Sequence, residues 1–229
     1  MSIKVKINEI LSIVDKVQFL QCLSVSEIEY LAAKSTLRNF KKDEIIFKFG
    51  DTSEKFYLVF KGIVKLSRES HEQKEFVETF VYNGQFFGEL TLSDEHVRMQ
   101  NASALTSETL CLEIKKETIY EMIEKNSSLA ICVIKLMGKR LEYVQNRASS
   151  LVLHDARTRI IDFIKNNVRQ FGQQVGLEML LKHTFTQQDI ADFTGTSRQT
   201  VTTVLNELRK TNKIQFRRKT ILIRDLSSL

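Results

Sequence analysis

The stretch from Thr186 to Lys210 constrains this chain more than any other, because it reads as two short helices joined by a tight turn. Thr186 can cap the first helix, and Asp189 places a negative charge in its first turn. Gly195 permits a backbone reversal that a residue with a Cβ resists. Ser197 then starts a second helix with apolar residues at steps of three and four, namely Val201, Val204, Leu205 and Leu208. The pattern predicts a helix-turn-helix.

The opposite face of the second helix is polar and carries no acidic side chain. The predicted DNA-reading residues of this helix are Ser197, Arg198, Gln199, Thr202, Thr203 and Asn206. An arginine can hold a guanine edge with two hydrogen bonds, a glutamine can hold an adenine edge, and a threonine methyl suits thymine. An ordinary amphipathic helix with a solvated polar face is the alternative. The glycine turn, the missing acids and the basic segment that follows favour DNA reading.

The basic charge of the chain is concentrated in the same region. The net charge is +6, and from Arg157 onward 13 Lys and Arg stand against 6 Asp and Glu. Such an excess suits a polyanion, so we expect double-stranded DNA as a partner. No apolar run approaches the roughly 20 residues that cross a bilayer, which predicts a cytoplasmic protein without a membrane partner.

Two β-type runs after the second helix complete this region. The runs I-Q-F at 214–216 and I-L-I at 221–223 alternate as a hairpin requires. Between them lie Arg217, Arg218 and Lys219. The pattern predicts a wing whose basic tip contacts the phosphate backbone, a contact that adds affinity without reading sequence.

The segment S-R-Q-T-V at Ser197–Val201 resembles the start of the recognition helix in the Crp/Fnr family of bacterial transcription regulators. The resemblance implies an α+β fold with an N-terminal double-stranded β-helix (a cyclic-nucleotide-binding-like jelly roll), a long dimerisation helix and a C-terminal winged helix-turn-helix. The expected domains are 1–125, 126–154 and 155–229. The resemblance also implies RNA polymerase as a partner.

Short β-type runs separated by turn residues fill the chain from Thr36 to Ile114 and agree with this expectation. The predicted strands are Leu37–Phe40, Ile45–Phe47, Phe56–Phe60, Ile63–Ser67, Glu75–Val81, Ala102–Leu105 and Leu110–Ile114. Their number and spacing indicate a sandwich or barrel. The motifs F-K-F-G-D, F-Y-L-V-F-K-G and F-F-G-E-L are similar to turns of the family's β-roll.

The family resemblance places a ligand pocket at Gly88-Glu89-Leu90, whose counterpart holds the ribose of cyclic AMP. The family's phosphate-binding Arg-Ser pair aligns with Gln100 and Asn101, which are uncharged, and Arg98 lies two residues away at a different depth. The base-contacting helix positions are Val144 and Gln145. The predicted pocket residues are Gly88, Glu89, Leu90, Gln100, Asn101, Val144 and Gln145.

Because the contacts in this pocket differ from those for cyclic AMP, we expect a different, unidentified small-molecule effector. Two alternatives stay open. Gly88 and Glu89 can instead form a purely structural turn and cap. The chain can also be a regulator that needs no effector and whose activity follows protein level.

A long helix starting at Asn126 or Ser127 carries an apolar seam with heptad spacing. The seam residues are Ile134, Met137, Leu141, Val144, Ala148 and Leu151. One helix packed on its own domain would show a wider stripe, so the pattern favours a parallel two-helix contact in a homodimer. Two recognition helices related by a two-fold axis would bind an inverted repeat with half-sites about one turn apart.

The cysteines and histidines argue against other classes of protein. Cys22, Cys111 and Cys132 lie far apart, so we expect three buried small hydrophobes, with neither a disulfide framework nor a zinc or iron–sulfur site. No nucleophile–base spacing and no P-loop motif appears, which argues against an enzyme. A haem sensor using His71 or His96 would belong to the same class of regulator.

Overall fold

The computed structural model describes residues 3–14, 17–70, 72, 74–92 and 96–229. Contacts between residues divide the chain into two compact units, of which the first consists of Met1–Glu69 and Glu78–Glu142. The second consists of Ser70–Val77 and Tyr143–Leu229. The expected three-domain division stays a prediction. His71, one of the two candidate haem ligands, lies outside the described residues.

The first unit combines helices with two sheets. Its helices are α1 Ile3–Ile13, α2 Gln18–Gln21, α3 Val25–Lys34, α4 Lys116–Lys125 and the first part of α5 Ser128–Leu153. The strands are β1 Thr36–Phe40, β2 Ile45–Phe47, β3 Lys55–Lys61, β4 Val64–Glu69, β5 Glu75–Val81, β6 Phe86–Phe87, β7 Asn101–Ala104 and β8 Thr109–Lys115. The first three residues of β5 are counted in the second unit. All seven predicted strands are present, with ends that differ by at most two residues. The two-residue strand β6 was not predicted.

The strands form two four-stranded sheets with the orders β1-β8-β3-β6 and β2-β7-β4-β5. The pairs β1–β8, β3–β8, β3–β6, β2–β7 and β4–β7 are antiparallel. The non-consecutive neighbours show that the chain crosses repeatedly between the sheets, as in a jelly roll. This arrangement confirms the predicted β-roll.

Strand β3 is buried on both faces, which explains its unbroken apolar run. Phe56, Leu58 and Phe60 pack into a cluster shared with α1, α3 and α4. Tyr57 and Val59 point the opposite way, into a second cluster made by strands of both sheets. Side chains alternate along a strand, so one strand serves the helical layer and the interior of the roll together.

The structure corrects the prediction for the cysteines. Cys111 is buried and free, as expected, but Cys22 and Cys132 form a disulfide across 110 positions of sequence. Cys22 ends α2 and Cys132 lies on α5, so their pairing results from the packing of two distant elements. No local spacing could reveal it. Both bonded cysteines are half-buried and pack against the helical-layer cluster.

The second unit contains the remainder of α5 and a winged-helix arrangement. Its other elements are α6 Ala156–Phe171, β9 Gln173–Val175, β10 Glu178–Lys182, α7 Gln187–Thr194, α8 Arg198–Lys210, β11 Ile214–Arg217 and β12 Thr220–Ile223. The four strands form one antiparallel sheet in the order β11-β12-β10-β9. Asp155 caps α6 by accepting a hydrogen bond from Thr158 N at 2.7 Å.

The described residues contain neither a membrane-spanning helix nor a cluster of metal-binding side chains. None of the helices in these ranges is both long and apolar enough to span a bilayer. Within the same ranges, no group of three or more His, Cys, Asp or Glu side chains could hold a metal ion.

Candidate nucleic-acid interface and ligand pocket

Helix α7 begins with a reciprocal capping box. The Thr186 hydroxyl accepts a hydrogen bond from Asp189 N at 3.0 Å, and the Asp189 carboxylate accepts one from Thr186 N at 2.8 Å. The carboxylate also accepts a hydrogen bond from the Thr186 hydroxyl, with 2.7 Å between the oxygens. Together these bonds satisfy backbone donors that a helix start leaves unpaired. The predicted cap is therefore present, and the direction of α7 is fixed at its first turn.

The turn between α7 and α8 depends on Gly195, which adopts φ 62° in the left-handed region. Arg159 from α6 supports this turn by donating to the carbonyl oxygens of Thr194 at 2.7 Å and Gly195 at 3.3 Å. The same guanidinium donates to the His154 carbonyl at 2.6 Å, just before α6. Ser197 caps α8 by accepting from Thr200 N at 3.0 Å.

The structure brings the predicted DNA-reading residues onto one face of α8. The opposite face is buried through Val201, Val204, Leu205 and Leu208. On the outer face Arg198, Gln199 and Thr203 are exposed, whereas Thr202 and Asn206 are half-buried. Glu207 is also exposed on α8, where its carboxylate pairs with Arg157 Nε at 3.6 Å. The five polar side chains form a helix face that is suited to a major groove.

Sequence reasoning missed Gln187, the first residue of α7. The Thr202 hydroxyl lies 2.6 Å from the Gln187 side-chain oxygen and 2.9 Å from the Arg198 carbonyl, and can donate to either. With its oxygen facing Thr202, the Gln187 amide still has donors to offer a phosphate or base. The sequence pointed to Gln187 only through its place at the start of α7, because a helix N-terminus is a preferred site for phosphate.

The wing has the predicted form. Strands β11 and β12 pair with Arg217 opposite Thr220, so Arg218 and Lys219 form the two-residue turn. The side chains of Arg217, Arg218 and Lys219 are all exposed. The Lys219 carbonyl accepts a hydrogen bond from His183 N at 2.9 Å, which anchors the tip to the segment before α7.

In the β-roll, Gly88 and Glu89 occupy a buried bend. Gly88 has φ 75°, and a Cβ there would lie 2.9 Å from Nη1 of Arg98. The Glu89 carboxylate is buried and accepts a hydrogen bond from Arg140 Nε on α5 at 3.0 Å. Glu89 therefore already has a cationic partner within the first unit.

Arg98, rather than Gln100 or Asn101, is the residue that reaches Gly88. Its guanidinium donates to the Lys55 carbonyl at 2.5 Å and to the Gly88 carbonyl at 3.4 Å. It lies over the Phe47 ring at 4.2 Å, and its buried Nε has no hydrogen-bond partner among the residues that the structure describes. Burial lowers the pKa of Arg98, since desolvation disfavours its charged form. Burial likewise raises the pKa of the neighbouring Tyr57 to about 12.

The other predicted pocket residues differ in their exposure. Gln100 is buried, and the Asn101 side chain accepts a hydrogen bond from Phe49 N at 2.8 Å. Leu90 is exposed. Val144 and Gln145 are exposed on α5, in the part of that helix that belongs to the second unit.

The predicted seam on α5 faces solvent in the single chain. Five of its six residues are exposed, namely Ile134, Leu141, Val144, Ala148 and Leu151. The exposed fraction reaches 67% for Ile134 and 59% for Leu141, and Met137 is half-buried. A row of exposed apolar side chains on one helix marks a candidate interaction surface.

Two family models match the chain and agree with this geometry. A cyclic nucleotide-binding domain model matches residues 37–126, and a Crp-like helix-turn-helix domain model matches residues 158–229. Together they cover more than two thirds of the chain. The chain belongs to the Crp/Fnr family of transcription regulators.

Several Crp/Fnr regulators resemble the chain over most of their length. A CRP-like cAMP-activated global transcriptional regulator of Mycobacterium tuberculosis is 25% identical over 191 residues, covering 83% of this chain and 85% of the relative. A global nitrogen regulator of Synechocystis is 28% identical over 193 residues, with coverages of 82% and 84%.

Solved structures show the same fold. FixK2 from Bradyrhizobium japonicum superposes with a TM-score of 0.75 at 20% identity, covering 85% of this chain and 94% of that one. The c-di-GMP-responsive global regulator CLP of Xanthomonas campestris gives 0.73 at 22% identity, with coverages of 88% and 100%.

Membership of the Crp/Fnr family assigns DNA binding and transcription regulation to the chain through its Crp-like helix-turn-helix. Because the family consists of transcription regulators, the rejection of an enzymatic function is confirmed.

Replacing Thr186 by alanine is expected to lower the free energy of unfolding of the Crp-like domain by about 1–2 kcal/mol. The change removes the hydroxyl that caps α7 and leaves the buried Asp189 carboxylate one partner short. Urea unfolding measures the loss. Thr186→Ser keeps the hydroxyl and should retain most of the stability, and equal losses in the two variants would exclude a capping role.

The stability of the same domain should fall as the pH drops below 6.5, the ordinary pKa of histidine. Burial lowers the pKa of His183, whose ring stacks on Phe185, so the folded chain keeps it neutral while the unfolded chain takes up a proton. Because only the unfolded state takes up the proton, the free energy of unfolding decreases as the pH falls below 6.5. Above that pH, His183 causes no loss of stability.

Urea unfolding about one pH unit above and below the ordinary histidine pKa tests this expectation. His183→Phe keeps an aromatic ring beside Phe185 without a titrating group, so it should reduce the pH dependence. An unchanged pH dependence in the variant would show that other groups cause it.

Proposed function

We propose that this Crp/Fnr regulator acts as a cytoplasmic homodimer on inverted-repeat operators, contacts RNA polymerase, and responds to an anionic effector through the β-roll. The observation that carries the dimer is that the first part of α5 has two separate apolar faces. One face packs into its own unit, and the other has no cover in the single chain.

The inner face of α5 is satisfied within the first unit. Leu129 is fully buried in the helical-layer cluster, and Val133 and Leu136 pack against it. The seam residues Ile134 and Leu141 lie on a different side and are exposed. A helix packed only on its own domain needs one apolar face, so the second face supports a contact with the same helix of another copy.

The arrangement of the DNA-binding elements supports an inverted repeat as the operator. In a parallel helix pair the two copies are related by a two-fold axis, and each copy carries one α8 and one basic wing tip. We expect Arg198, Gln199, Thr202, Thr203 and Asn206 to read each half-site. The half-sites should lie about 34–36 Å apart, so that both copies of α8 enter successive major grooves.

The buried guanidinium of Arg98, which has carbonyl partners but no carboxylate bonded to it in the described part of the chain, supports an anionic effector. A buried cation with an unpaired Nε is costly, and a phosphate or carboxylate would supply the missing partner. Val144 and Gln145 differ from the small hydroxyl residues that the family uses against the base of cyclic AMP. For this reason we propose an effector other than cyclic AMP.

A regulator that needs no effector is the second candidate, and two contacts favour it. Arg140 already pairs with Glu89, and Arg98 already donates to the Lys55 and Gly88 carbonyls. The bend is therefore held closed by its own side chains. In this case protein level alone would set the occupancy of the operator.

Selection from a library of randomised duplexes, with and without nucleotides, haem or cell extract, tests the proposal. An inverted repeat recovered only when one component is present supports the effector-controlled dimer. The same repeat recovered equally well without additions supports the second candidate, and a single half-site recovered alone contradicts the dimer.

The role of Arg98 needs a matched variant. Arg98→Gln keeps hydrogen-bonding capacity but removes the charge. If an effector raises the melting temperature of the wild type, the variant should lose that shift while keeping its affinity for the operator without effector. An undiminished shift in Arg98→Gln would place the effector elsewhere.

A further inference from the structure

The Cys22–Cys132 disulfide connects two elements of different roles. Cys22 caps the C-terminus of the short helix α2, and Cys132 lies in the second turn of α5, two residues before the seam residue Ile134. Both cysteines are half-buried, so small reagents can reach them. The bond therefore joins the N-terminal helices to the helix that carries the exposed seam.

The function of the chain makes a permanent disulfide unsuitable here. A protein that binds the chromosome works beside the DNA, where cellular thiols and thioredoxin keep cysteines reduced, and disulfides in that compartment are usually transient and redox-sensing. This step rests on the DNA-binding function. In a reducing compartment we expect the two cysteines to occur both as a dithiol and as a disulfide.

The core around the bond is apolar and continuous, so we expect the fold to persist without the bond. Leu20, Leu31 and Leu129 are completely buried in the cluster on which both cysteines pack. As thiols, the two cysteines would remain small hydrophobic side chains on that cluster. Reduction can thus open the link without unfolding the unit.

Cys111 offers an internal contrast. It is completely buried inside the β-roll, and burial, aided by the nearby Glu113 carboxylate, raises its pKa to about 12. Because the thiolate is the reactive form, Cys111 should resist oxidants that reach the other two cysteines. We therefore expect oxidants to react with Cys22 and Cys132 and not with Cys111.

We propose that Cys22 and Cys132 form a redox-active dithiol site that hydrogen peroxide or an organic hydroperoxide oxidises. One thiolate attacks the peroxide, so that the O–O bond breaks, a sulfenic acid forms and water or an alcohol leaves after protonation. The second thiol then attacks the sulfenic sulfur and releases water. Overall, two thiols lose two electrons and two protons, and the peroxide is reduced.

The return step is thiol–disulfide exchange with a dithiol reductant. One thiolate of the reductant attacks a sulfur of the bond, forms a mixed disulfide and releases the first cysteine as a thiolate that takes up a proton. The second thiol of the reductant then attacks the mixed disulfide and releases the other cysteine. The reductant is oxidised to its own disulfide. The oxidised state restrains the start of α5 against α2, whereas the reduced state leaves only the packing contacts.

Thiol mapping of the full-length protein tests the site. The protein is reduced with dithiothreitol, freed of reductant, treated with hydrogen peroxide and alkylated with N-ethylmaleimide before peptide mass analysis. We expect linked peptides that contain Cys22 and Cys132, and no oxidation of Cys111. Dithiothreitol should reverse the link. Full alkylation of both cysteines after peroxide, or links formed only between chains, would overturn the proposal.

Variants separate the pair from the third cysteine. Cys22→Ser and Cys132→Ser should each abolish the intramolecular link, whereas Cys111→Ala should retain it. A link that persists in Cys22→Ser would show that a different pair reacts. These measurements need no DNA, so a failed operator selection leaves their outcome unaffected.

Hydrogen exchange tests whether the bond restrains α5. In the oxidised wild type we expect amides at the start of α5 to exchange roughly tenfold more slowly than in the reduced protein, since cross-linking opposes local opening. Peroxide should not change the exchange of Cys22→Ser. Equal exchange in both wild-type states would refute the restraint.

Discussion

Replacing both Ile134 and Leu141 by glutamate is expected to convert the protein from a dimer to a monomer. Each side chain is more than half exposed in the single chain, so the substitutions leave the interior of either unit intact. In a paired helix, however, they would bury carboxylates opposite their own copies, and an unpaired buried charge is very unfavourable. Sedimentation velocity measures the expected change of mass.

The effect on DNA binding should be larger than that of any single contact. A dimer binds its second half-site at a high effective concentration, and losing that advantage lowers the affinity for the full operator by about 10²–10⁴-fold. The variant should therefore bind the inverted repeat little better than one half-site. Ser149→Glu, which adds one carboxylate at an exposed position of α5 outside the seam, is the control for added negative charge.

A double variant that still sediments as a dimer would assign the dimer contact to another surface. A monomer that keeps full operator affinity would instead show that the two half-sites bind independently. Thermal unfolding of the variant beside the wild type distinguishes either result from a general loss of fold.

Replacing Arg198 by alanine is expected to weaken binding to the operator by about 1–3 kcal/mol per half-site and to relax the sequence preference. Arg198 is exposed in the first turn of α8, directly after the cap Ser197. From there its five donors can reach a guanine edge, which alanine cannot replace. Binding to random DNA should change less than binding to the operator.

Lys219→Ala is the comparison for this prediction, because Lys219 lies at the wing tip and is expected to contact phosphate. Its loss should weaken binding to operator and random DNA alike and reduce the salt dependence of both. Titrations of each variant against both DNAs give the four affinities required. Equal losses on both DNAs for Arg198→Ala would contradict its role in reading bases.

The DNA-binding half of the fold could be predicted closely because its signals are local. The capping pattern of Thr186 and Asp189, the left-handed glycine Gly195 and the cap Ser197 each act within a few residues of themselves. Local hydrogen bonds and backbone preferences of this kind are written directly into adjacent sequence positions. The same holds for the wing, whose two strands are joined by two residues.

The ligand pocket stays a prediction, because its residues depend on the course of the chain between strands. Alignment with the family places its phosphate-binding Arg-Ser pair at Gln100 and Asn101, whereas the structure brings Arg98 beside Gly88. A difference of two residues along the chain is decided by how the intervening segment folds back, and spacing alone does not encode it. Family membership leaves the effector open, since the relatives named above include one activated by cAMP.

Contacts between residues far apart in the sequence could not be predicted, for a related reason. The Cys22–Cys132 bond and the contact of Gln187 with Thr202 each join residues from different helices. Hydrophobic periodicity reports which side of a helix is buried but does not report which partner it meets. Such pairs become visible only when the packing is known.

The three carbonyl contacts of Arg159 give the DNA-binding half a mechanical property. One guanidinium holds both the chain entry at His154 and the bend at Thr194 and Gly195. Because one planar group bonds to both segments, we expect a rotation of the backbone at His154 to displace the turn at Gly195. The tilt of α8 in the major groove would then change together with the backbone direction at His154.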